Sequence, residues 1–210
     1  MIIIGAKGFS KELLTVLMKK SNNEKDIFFF DDISKDLGDN LFGKFPIIKS
    51  IEETKHILAE NPYFALGLGS PQLRRKMTDK FEFLGGKLKT VISPKAVVGI
   101  FGVEINQGVC IMCGSVITSD IKIGKGVLIN LNCTVGHDSK IGDFVECSPG
   151  VHISGNVRIG NNTAIGSGAV ILPNIRIGNN CVIGAGSVVR ENIPDNKLVV
   201  GVPAKIIRDI

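Results

Sequence analysis

The chain has 210 residues, of which 44% are hydrophobic and 21% are charged, and its formal net charge is +5. Such a composition is typical of one or two packed domains, and no apolar run reaches the roughly 20 residues of a membrane-spanning helix. The positive charge does not form the dense basic cluster typical of nucleic-acid-binding proteins. We therefore expect no nucleic-acid partner and no membrane insertion.

Cysteines occur at five positions, all in the second half of the chain. They are Cys110, Cys113, Cys133, Cys147 and Cys181. An odd number of cysteines placed within a repeat argues against a disulfide framework. Cys110 and Cys113 have the spacing of half a zinc site, but no second pair and no nearby histidine completes it. We expect free thiols in a reducing cytoplasm and no bound metal.

Strand and helix patterns alternate along residues 1–86. Strands are predicted at residues 1–4, 27–30 and 63–68, and helices at residues 9–20, 51–60 and 71–84. The last helix carries Leu73, Met77, Phe81 and Leu84 on one side, which predicts its buried face. Alternation of this kind indicates a small parallel α/β sheet.

A six-residue unit recurs fifteen times between residues 105 and 193. Its aliphatic position is Ile or Val in every unit except one, where it is Cys147. These positions are Ile105, Ile111, Ile117, Ile123, Ile129, Val135, Ile141, Cys147, Ile153, Ile159, Ile165, Ile171, Ile177, Ile183 and Val189. A helix cannot hold a period of six on one face, whereas short β segments joined by tight turns return each aliphatic residue to one interior column. A fixed period of this kind indicates a solenoid.

The repeat resembles the hexapeptide family of left-handed parallel β-helices, most of which are acyltransferases. Three units form one coil of a triangular prism in that family, so fifteen units make five coils. The resemblance implies a mixed fold with two domains. A small Rossmann-like, nucleotide-sugar-binding α/β domain is expected at residues 1–86, and a left-handed β-helix with a C-terminal tail at residues 87–210.

Further motifs are similar to those of the sialic acid O-acetyltransferase and bacillosamine-pathway N-acetyltransferase family. They read GAKGFSKE at residues 5–12, FFFDD at 28–32, GKFP at 43–46 and GLGS at 67–70, and GVPAK at 201–205 resembles the closing motif of many hexapeptide acetyltransferases. Lys7 and Phe9 depart from the Gly and His that members commonly carry. The resemblance implies a cytoplasmic homotrimer, with active sites between subunits, that transfers the acetyl group of acetyl-CoA. The acceptor is expected to be a nucleotide-linked amino sugar or, alternatively, a sugar hydroxyl.

His137 follows a glycine in the middle of the repeat and occupies a surface position. The resemblance implies that His137 is the general base, a role that neutral imidazole suits near pH 7. It also implies that the backbone N–H of Gly155, one coil later, stabilises an oxyanion. Asp138 either orients His137 or belongs to a corner ladder of residues that tolerate left-handed backbone angles. The ladder would comprise Asp120, Asp138, Asn156, Asn174 and Asn192.

Acceptor binding is predicted for the α/β domain and the coils beside it. Gly5 and Gly8 lie in a turn between a strand and a helix, which either cradles a phosphate or is a tight connection. Asp31 and Asp32 end the second strand, where they either hydrogen-bond to a nucleotide or form an Asx turn. The resemblance adds three residues to the acceptor site, namely Arg74, Asn130 and Glu146.

Coenzyme A binding is predicted for a second set of residues. The resemblance assigns it to Gly155, Ser167, Ala185 and Lys205. A charge pattern adds Arg176, because Lys122, Lys140, Arg158 and Arg176 are spaced by 18 residues and should stack on one edge. Such a ladder either attracts the phosphates of coenzyme A or consists of solvated side chains.

Overall fold

The computed structural model describes residues 1–20 and 27–210. The strands of the α/β domain are β1 (Ile2–Ile4), β2 (Phe28–Phe30), β3 (Asn40–Leu41), β4 (Phe45–Ile48), β5 (Tyr63–Leu66) and β6 (Lys87–Leu88). Its helices are α1 (Gly8–Lys20), α2 (Ile51–Glu60) and α3 (Pro71–Phe83). The sheet order is β3-β4-β2-β1-β5-β6, and every pair is parallel except β3 with β4. This is the small parallel α/β sheet that the alternation predicts.

Three strands of this sheet have no counterpart among the predicted elements. β3 and β4 form an antiparallel edge, and Pro46 interrupts β4 with a residue that cannot donate to a ladder. β6 pairs with β5 at the other edge. β6 lies just beyond residue 86 but belongs to the sheet of the α/β domain. The predicted domain boundary at residue 86 stays a prediction.

The predicted apolar side of α3 is buried at Phe81 and partly buried at Met77 and Leu84, but it is not buried at Leu73. The helix begins at a capping Ser70, whose hydroxyl accepts a hydrogen bond from Leu73 N, and Pro71 opens its first turn. Its buried residues are Pro71, Arg74, Thr78 and Phe81. The prediction that Leu73 is buried is wrong: its side chain is 47% exposed and borders a cavity of the α/β domain.

Residues 91–193 form a left-handed parallel β-helix, a prism with three faces. The first face contains β7 (Val91–Ile92), β10 (Cys110–Ile111), β13 (Leu128–Ile129), β16 (Glu146–Cys147), β19 (Ala164–Ile165) and β22 (Val182–Ile183). The second contains β8 (Val97–Val98), β11 (Val116–Ile117), β14 (Thr134–Val135), β17 (His152–Ile153), β20 (Val170–Ile171) and β23 (Val188–Val189). The third contains β9 (Glu104–Ile105), β12 (Lys122–Ile123), β15 (Lys140–Ile141), β18 (Arg158–Ile159) and β21 (Arg176–Ile177).

The aliphatic positions of the repeat form one interior core, as the period predicts. Fourteen of the fifteen are buried, and Ile105 at the start is partly buried and packs against the others. Strands pair in register one coil apart, so that Ile123 lies beside Ile141 and Lys122 beside Lys140. Each two-residue strand therefore sends one side chain into the core and one outward.

Corners between the faces use left-handed backbone angles. At the corner that joins the second face to the third, φ is +55° at Asp120, +61° at Asp138, +56° at Asn156 and +64° at Asn174. The predicted ladder is thus confirmed at four positions. It does not extend to Asn192, because the last coil is shorter and the Asn192 side chain instead accepts a hydrogen bond from Arg176 N.

The α/β domain packs against the first face of the prism. One of its two hydrophobic clusters continues into the prism through Val91, Cys110, Met112 and Leu128. At the other end, β24 (Lys197–Gly201) pairs with β22, and β25 (Ala204–Asp209) folds back on β24 as a hairpin. No helix within residues 1–20 and 27–210 is long and apolar enough to cross a membrane.

Candidate active site

His137 and Asp138 lie at the second–third corner, between β14 and β15. The Nδ1 atom of His137 is 2.7 Å from the Oδ2 atom of Asp138, and both side chains are well exposed, at 68% and 61%. A carboxylate only accepts hydrogen bonds, so this contact assigns the proton of neutral imidazole to Nδ1. The Nε2 atom then carries the free lone pair and is able to accept a proton from a substrate.

Gly155 lies directly under the imidazole of His137, one coil later at the same corner. A Cβ atom on Gly155 would come 2.6 Å from Nε2 and 2.7 Å from Cε1, so any larger residue would displace the ring from this position. Within the described residues, the N–H of Gly155 has no hydrogen-bond acceptor. The corner therefore places a proton acceptor beside an unused backbone donor, the two groups that acyl transfer needs.

A cavity of about 330 Å³ opens in the α/β domain at the carboxyl ends of β1, β2 and β5. This is where ligands bind in open parallel sheets. The predicted residues Gly5, Gly8, Asp31 and Asp32 all border it. Leu73, which helical spacing places in the core, instead forms an apolar wall of the cavity. Its place in the first turn of a helix that follows a sheet strand is the signal for this role.

Gly5 and α1 shape the floor of this cavity. Gly5 has a φ of +92°, and a Cβ there would come 2.9 Å from Leu68 Cδ2 and 3.1 Å from Gly67 O. α1 begins at Gly8, so the first N–H groups of a 13-residue helix meet the cavity. A helix N-terminus favours negative charge through its unpaired donors and its dipole. Backbone approach and charge here both suit a phosphate.

Asp31 and Asp32 differ in what they contact. The Asp31 carboxylate accepts hydrogen bonds from Ile33 N at 3.2 Å, Ser34 N at 2.9 Å and Ala6 N at 3.3 Å. It therefore forms the Asx turn that was one of its two predicted roles, while still bordering the cavity. Asp32 is exposed and pairs with Lys80 at 3.1 Å.

Arg74 does not reach the cavity. Its side chain is fully buried, and its guanidinium donates to Leu66 O and Leu68 O in the α/β domain and to Gly126 O in the prism. Burial lowers the pKa of Arg74, yet the group stays charged at neutral pH. The predicted contact between Arg74 and the acceptor does not fit this arrangement, because no part of the side chain is exposed.

Glu146 and Asn130 lie where the first face meets the α/β domain. The Glu146 carboxylate accepts a hydrogen bond from the Ser148 hydroxyl at 3.1 Å, and a Cβ on Gly69 would come 3.4 Å from its Oε1 atom. Burial raises the pKa of Glu146, and the Ser148 hydroxyl and the Arg74 charge partly offset this. Asn130 is nearly buried, and its side-chain oxygen accepts a hydrogen bond from Leu131 N at 2.8 Å.

The residues predicted to bind coenzyme A do not converge within one chain. Gly155 lies at the second–third corner, whereas Ser167 and Ala185 are exposed at the corner that joins the first face to the second. The whole second face separates these two corners. Lys205 lies in β25, with its Nζ atom 3.8 Å from a carboxylate oxygen of Glu191.

The basic ladder of the third face is present as predicted. Lys122, Lys140, Arg158 and Arg176 stack in register, and they border a groove of about 460 Å³. Lys122 pairs with Glu104 at 2.7 Å. Among the described residues the other three cations have no acidic partner, so this face carries an uncompensated positive charge.

The cysteines and the other candidate metal ligands are dispersed. All five cysteines are free thiols, and Cys110 and Cys133 are among the buried ones. Burial raises the pKa of both thiols. In the part of the chain that the structure describes, no three His, Cys, Asp or Glu side chains come together as a metal site would require.

Two family models match this chain. The model of the PglD N-terminal domain matches residues 1–81, and that of the bacterial transferase hexapeptide (six repeats) matches residues 156–191. No curated protein matches the sequence. Solved structures match over nearly the full length, and the most informative are acetyltransferases.

The acetyltransferase domain of PglB from Neisseria gonorrhoeae is 32% identical, with a TM-score of 0.86 and 98% of each chain covered, and it has also been solved with acetyl coenzyme A. WeeI from Acinetobacter baumannii is 30% identical, with a TM-score of 0.89 and 98% of each chain covered. A variant of perosamine N-acetyltransferase from Caulobacter crescentus, in complex with CoA and GDP-perosamine, is 28% identical, with a TM-score of 0.86, and the match covers 99% of this chain and 96% of that one. Identity at this level over nearly the whole length, together with both family models, shows that this chain belongs to the hexapeptide-repeat sugar acetyltransferases that carry a PglD-type N-terminal domain.

Proposed function

We propose that this enzyme transfers the acetyl group of acetyl-CoA to the amine of a nucleotide-linked amino sugar, with His137 as the general base. The proposal rests on one observation: His137 Nε2 and the free N–H of Gly155 lie close together at one corner. The cavity of the α/β domain supplies a place for the nucleotide. The perosamine enzyme, which was solved with CoA and a GDP-linked amino sugar, supports this class of substrates.

The reaction follows from these two groups. The amine nitrogen attacks the thioester carbonyl carbon while Nε2 of His137 takes the proton that the nitrogen loses. The N–H of Gly155 donates to the oxygen that becomes negative, and losing one such donor typically costs about 3 kcal/mol. The tetrahedral intermediate then collapses, the carbon–sulfur bond breaks, and the imidazolium returns its proton to the leaving thiolate. The products are an N-acetyl sugar and free coenzyme A.

Asp138 has two roles in this scheme, and they do not exclude each other. Its φ of +61° makes it a corner residue of the prism. Its carboxylate also holds His137 Nδ1, which keeps the lone pair on Nε2 and stabilises the imidazolium that forms during proton transfer.

A homotrimer would complete the site, and the chemistry of the three faces supports it. The first face is partly covered by the α/β domain, and every outward position of the third face is charged. The second face carries no Asp, Glu, Lys or Arg at its outward positions, which are Val97, Val116, Thr134, His152, Val170 and Val188. An uncharged face of this kind is suited to burial against other copies of the chain.

Three copies that turn their second faces toward a common axis would bring unlike corners together. The first–second corner of one copy, with Ser167 and Ala185, would then lie beside the second–third corner of the next, with Gly155. Coenzyme A would bind between them, with Lys205 and Arg176 near its phosphates. The acceptor would extend from Gly5, Gly8, Asp31 and Asp32 past Asn130 and Glu146 toward His137 of a neighbouring copy.

The test is to incubate the enzyme with acetyl-CoA and a panel of UDP-, dTDP- and GDP-linked 4-amino sugars and to identify the products by mass spectrometry. We expect one acetyl group per sugar, resistant to alkaline hydroxylamine, because an amide survives conditions that cleave an ester. A labile product, or acetylation of the corresponding hydroxy sugar alone, would instead indicate an O-acetyltransferase.

The same assay tests the base. His137→Ala should lower kcat by about 100- to 10,000-fold, the usual loss when a general base is removed, and the pH profile should lose its acidic limb. His56→Ala, which changes an exposed histidine on α2, is the matched control and should keep wild-type activity. If His137→Ala kept more than about a tenth of wild-type kcat, the assignment of the base would be wrong.

A further inference from the structure

Two consecutive arginines of α3 cross from the α/β domain to the prism. Arg74 donates from Nε at 3.0 Å and from Nη2 at 2.8 Å to Gly126 O. Arg75 donates from Nε to the side-chain oxygen of Asn162 at 2.9 Å and lies over the ring of Phe144. The two residues thus link the same helix to the same body.

Of the two arginines, only Arg74 also donates hydrogen bonds to the segment that lines the acceptor cavity. Its Nη1 atom donates to Leu68 O at 2.8 Å and to Leu66 O at 3.3 Å. Leu66 ends β5, and Leu68 lies in the loop of residues 67–69 that borders the cavity. One rigid, planar guanidinium therefore spans the distance from this loop to the prism.

Burying the Arg74 guanidinium costs desolvation free energy, and no apolar side chain could form its hydrogen bonds. Arg74 is fully buried, and its hydrogen-bond partners are neutral carbonyl oxygens, since no carboxylate lies within salt-bridge distance among the described residues. Burial of a cation without a bonded anion is unfavourable unless its donors are satisfied. A lysine has the charge but not the fork that reaches carbonyls on two sides at once.

The loop that Arg74 holds is also confined from its other sides. A Cβ on Gly67 would come 2.5 Å from Ser10 Cβ, and Gly69 faces the Glu146 carboxylate. The loop therefore lies tightly between α1 and the first face of the prism.

We propose that Arg74 is a positioning residue that fixes the acceptor-binding loop of residues 67–69 relative to the prism, where the acetyl group is transferred. The inference rests on the proposed function, since it matters only if the acceptor binds in the α/β domain and reacts at the prism corner. Arg74 touches no substrate in this role. In the proposed trimer each prism packs against its neighbours, so a loop fixed on its own prism is also fixed relative to His137 of the neighbouring copy.

The expected consequence is a selective loss. A misplacement of about 1 Å between acceptor and reacting groups can lower a rate about 100-fold. Loss of Arg74 should therefore lower kcat and raise the KM for the acceptor. The KM for acetyl-CoA should stay the same, because the prism residues proposed to bind coenzyme A do not depend on the loop.

The experiment compares Arg74→Met, Arg74→Lys and the control Arg75→Ala, each assayed at a temperature where circular dichroism shows it folded. Arg74→Met should lower kcat about 10- to 100-fold and raise the acceptor KM at least several-fold, with the acetyl-CoA KM within about twofold of wild type. Arg74→Lys should recover part of the loss. Arg75→Ala, which removes a hydrogen bond across the same junction without touching the loop, should leave both KM values unchanged.

A purely structural role gives a different pattern. A smaller folded fraction would lower kcat in proportion and leave both KM values at wild type, and that result for Arg74→Met would overturn the proposal. If Arg74→Met does not fold, the same comparison applies to Arg74→Lys, and an unchanged acceptor KM there overturns it equally. Failure of the proposed function would appear in the wild-type enzyme, as a lack of N-acetylated product, and is thereby distinguished from failure of this inference.

Discussion

The imidazole of His137 lies across Gly155, with Nε2 2.6 Å from the position that a Cβ on Gly155 would occupy. The two residues are one coil apart in the prism, and the hydrogen bond from Asn156 N to His137 O at 2.7 Å fixes their coils relative to each other. A β-helix holds such a pair with little freedom, because neighbouring coils are hydrogen-bonded at every corner.

Gly155→Ala should therefore inactivate the enzyme without unfolding it. The new methyl group would push the imidazole away from the N–H of residue 155, which separates the base from the oxyanion donor. We expect kcat to fall at least about 100-fold, as for the loss of an oxyanion-hole donor. Gly38→Ala is the control, because a Cβ at Gly38 meets no atom. Near-normal turnover of Gly155→Ala would contradict the proposed site.

Asp138→Asn tests whether the carboxylate does more than shape a corner. Asparagine adopts the same left-handed backbone, so the fold should be unchanged, but it cannot offset the charge of the imidazolium. We expect kcat to fall about 10- to 100-fold, by analogy with the partners that orient metal-bound histidines. Asp120→Asn is the matched control, at the same corner one coil earlier and with a φ of +55°. Equal activity of the two variants in a kinetic assay would leave only the corner role.

Val170→Glu tests the proposed trimer. Val170 points outward from the second face, so a trimer would bury three carboxylates of this variant without partners, which is unfavourable. Sedimentation equilibrium should then give monomers. Arg158→Glu, on the outward side of the third face, should leave the assembly intact. A trimeric Val170→Glu variant would show that another surface forms the assembly.

Arg176→Glu tests the basic ladder. If Arg176 lies near the phosphates of coenzyme A, reversing its charge should raise the KM for acetyl-CoA about fivefold, which corresponds to about 1 kcal/mol for exposed charges. The acceptor KM should be nearly unchanged, and the difference should shrink at high salt. Lys122→Glu, three coils earlier on the same face, is the control. An unchanged acetyl-CoA KM at low salt would favour the solvated ladder.

Glu146→Gln tests the effect of burial on that carboxyl group. Because burial raises the pKa of Glu146, its contribution to stability is present in full below the unfolded value near 4.5 and is lost as pH rises through the folded value. Glutamine has no charge to desolvate and still accepts from Ser148. The Tm of Glu146→Gln, relative to wild type, should therefore rise between pH 4.5 and pH 7.5. A relative fall over this range would mean that attraction to Arg74 outweighs burial.

The repeat made the prism predictable from the sequence. A strict period of six fixes which side chain enters the core of each strand, and the structure places all fifteen predicted residues there. The corner ladder was predictable for a related reason, since Asp and Asn tolerate left-handed angles. The ladder ends at Asn174, one position earlier than predicted, because the last coil is shorter than 18 residues. Residue types alone do not reveal that shortening.

The roles of Leu73 and Arg74 were not predictable in this way. Both residues lie on α3, where helical spacing places the apolar Leu73 inside and the family resemblance places Arg74 at the acceptor. In the structure Leu73 borders the cavity, whereas Arg74 is buried where the carbonyls of Leu68 and Gly126 converge on it. Such convergence joins residues 52 apart in the chain and exists only after the two domains pack.

The sequence by itself determined the architecture of this protein and the residues of the corner that we propose to be catalytic. Local physics suffices for both, because a coil of fixed length places His137 and Gly155 above each other whatever the rest of the chain does. Only the tertiary structure decided what surrounds that corner. It showed that the predicted coenzyme A residues lie on separate corners, that an uncharged face remains open between them, and that a buried arginine ties the cavity to the prism. These relationships depend on how the α/β domain packs on the first face, which no local pattern encodes.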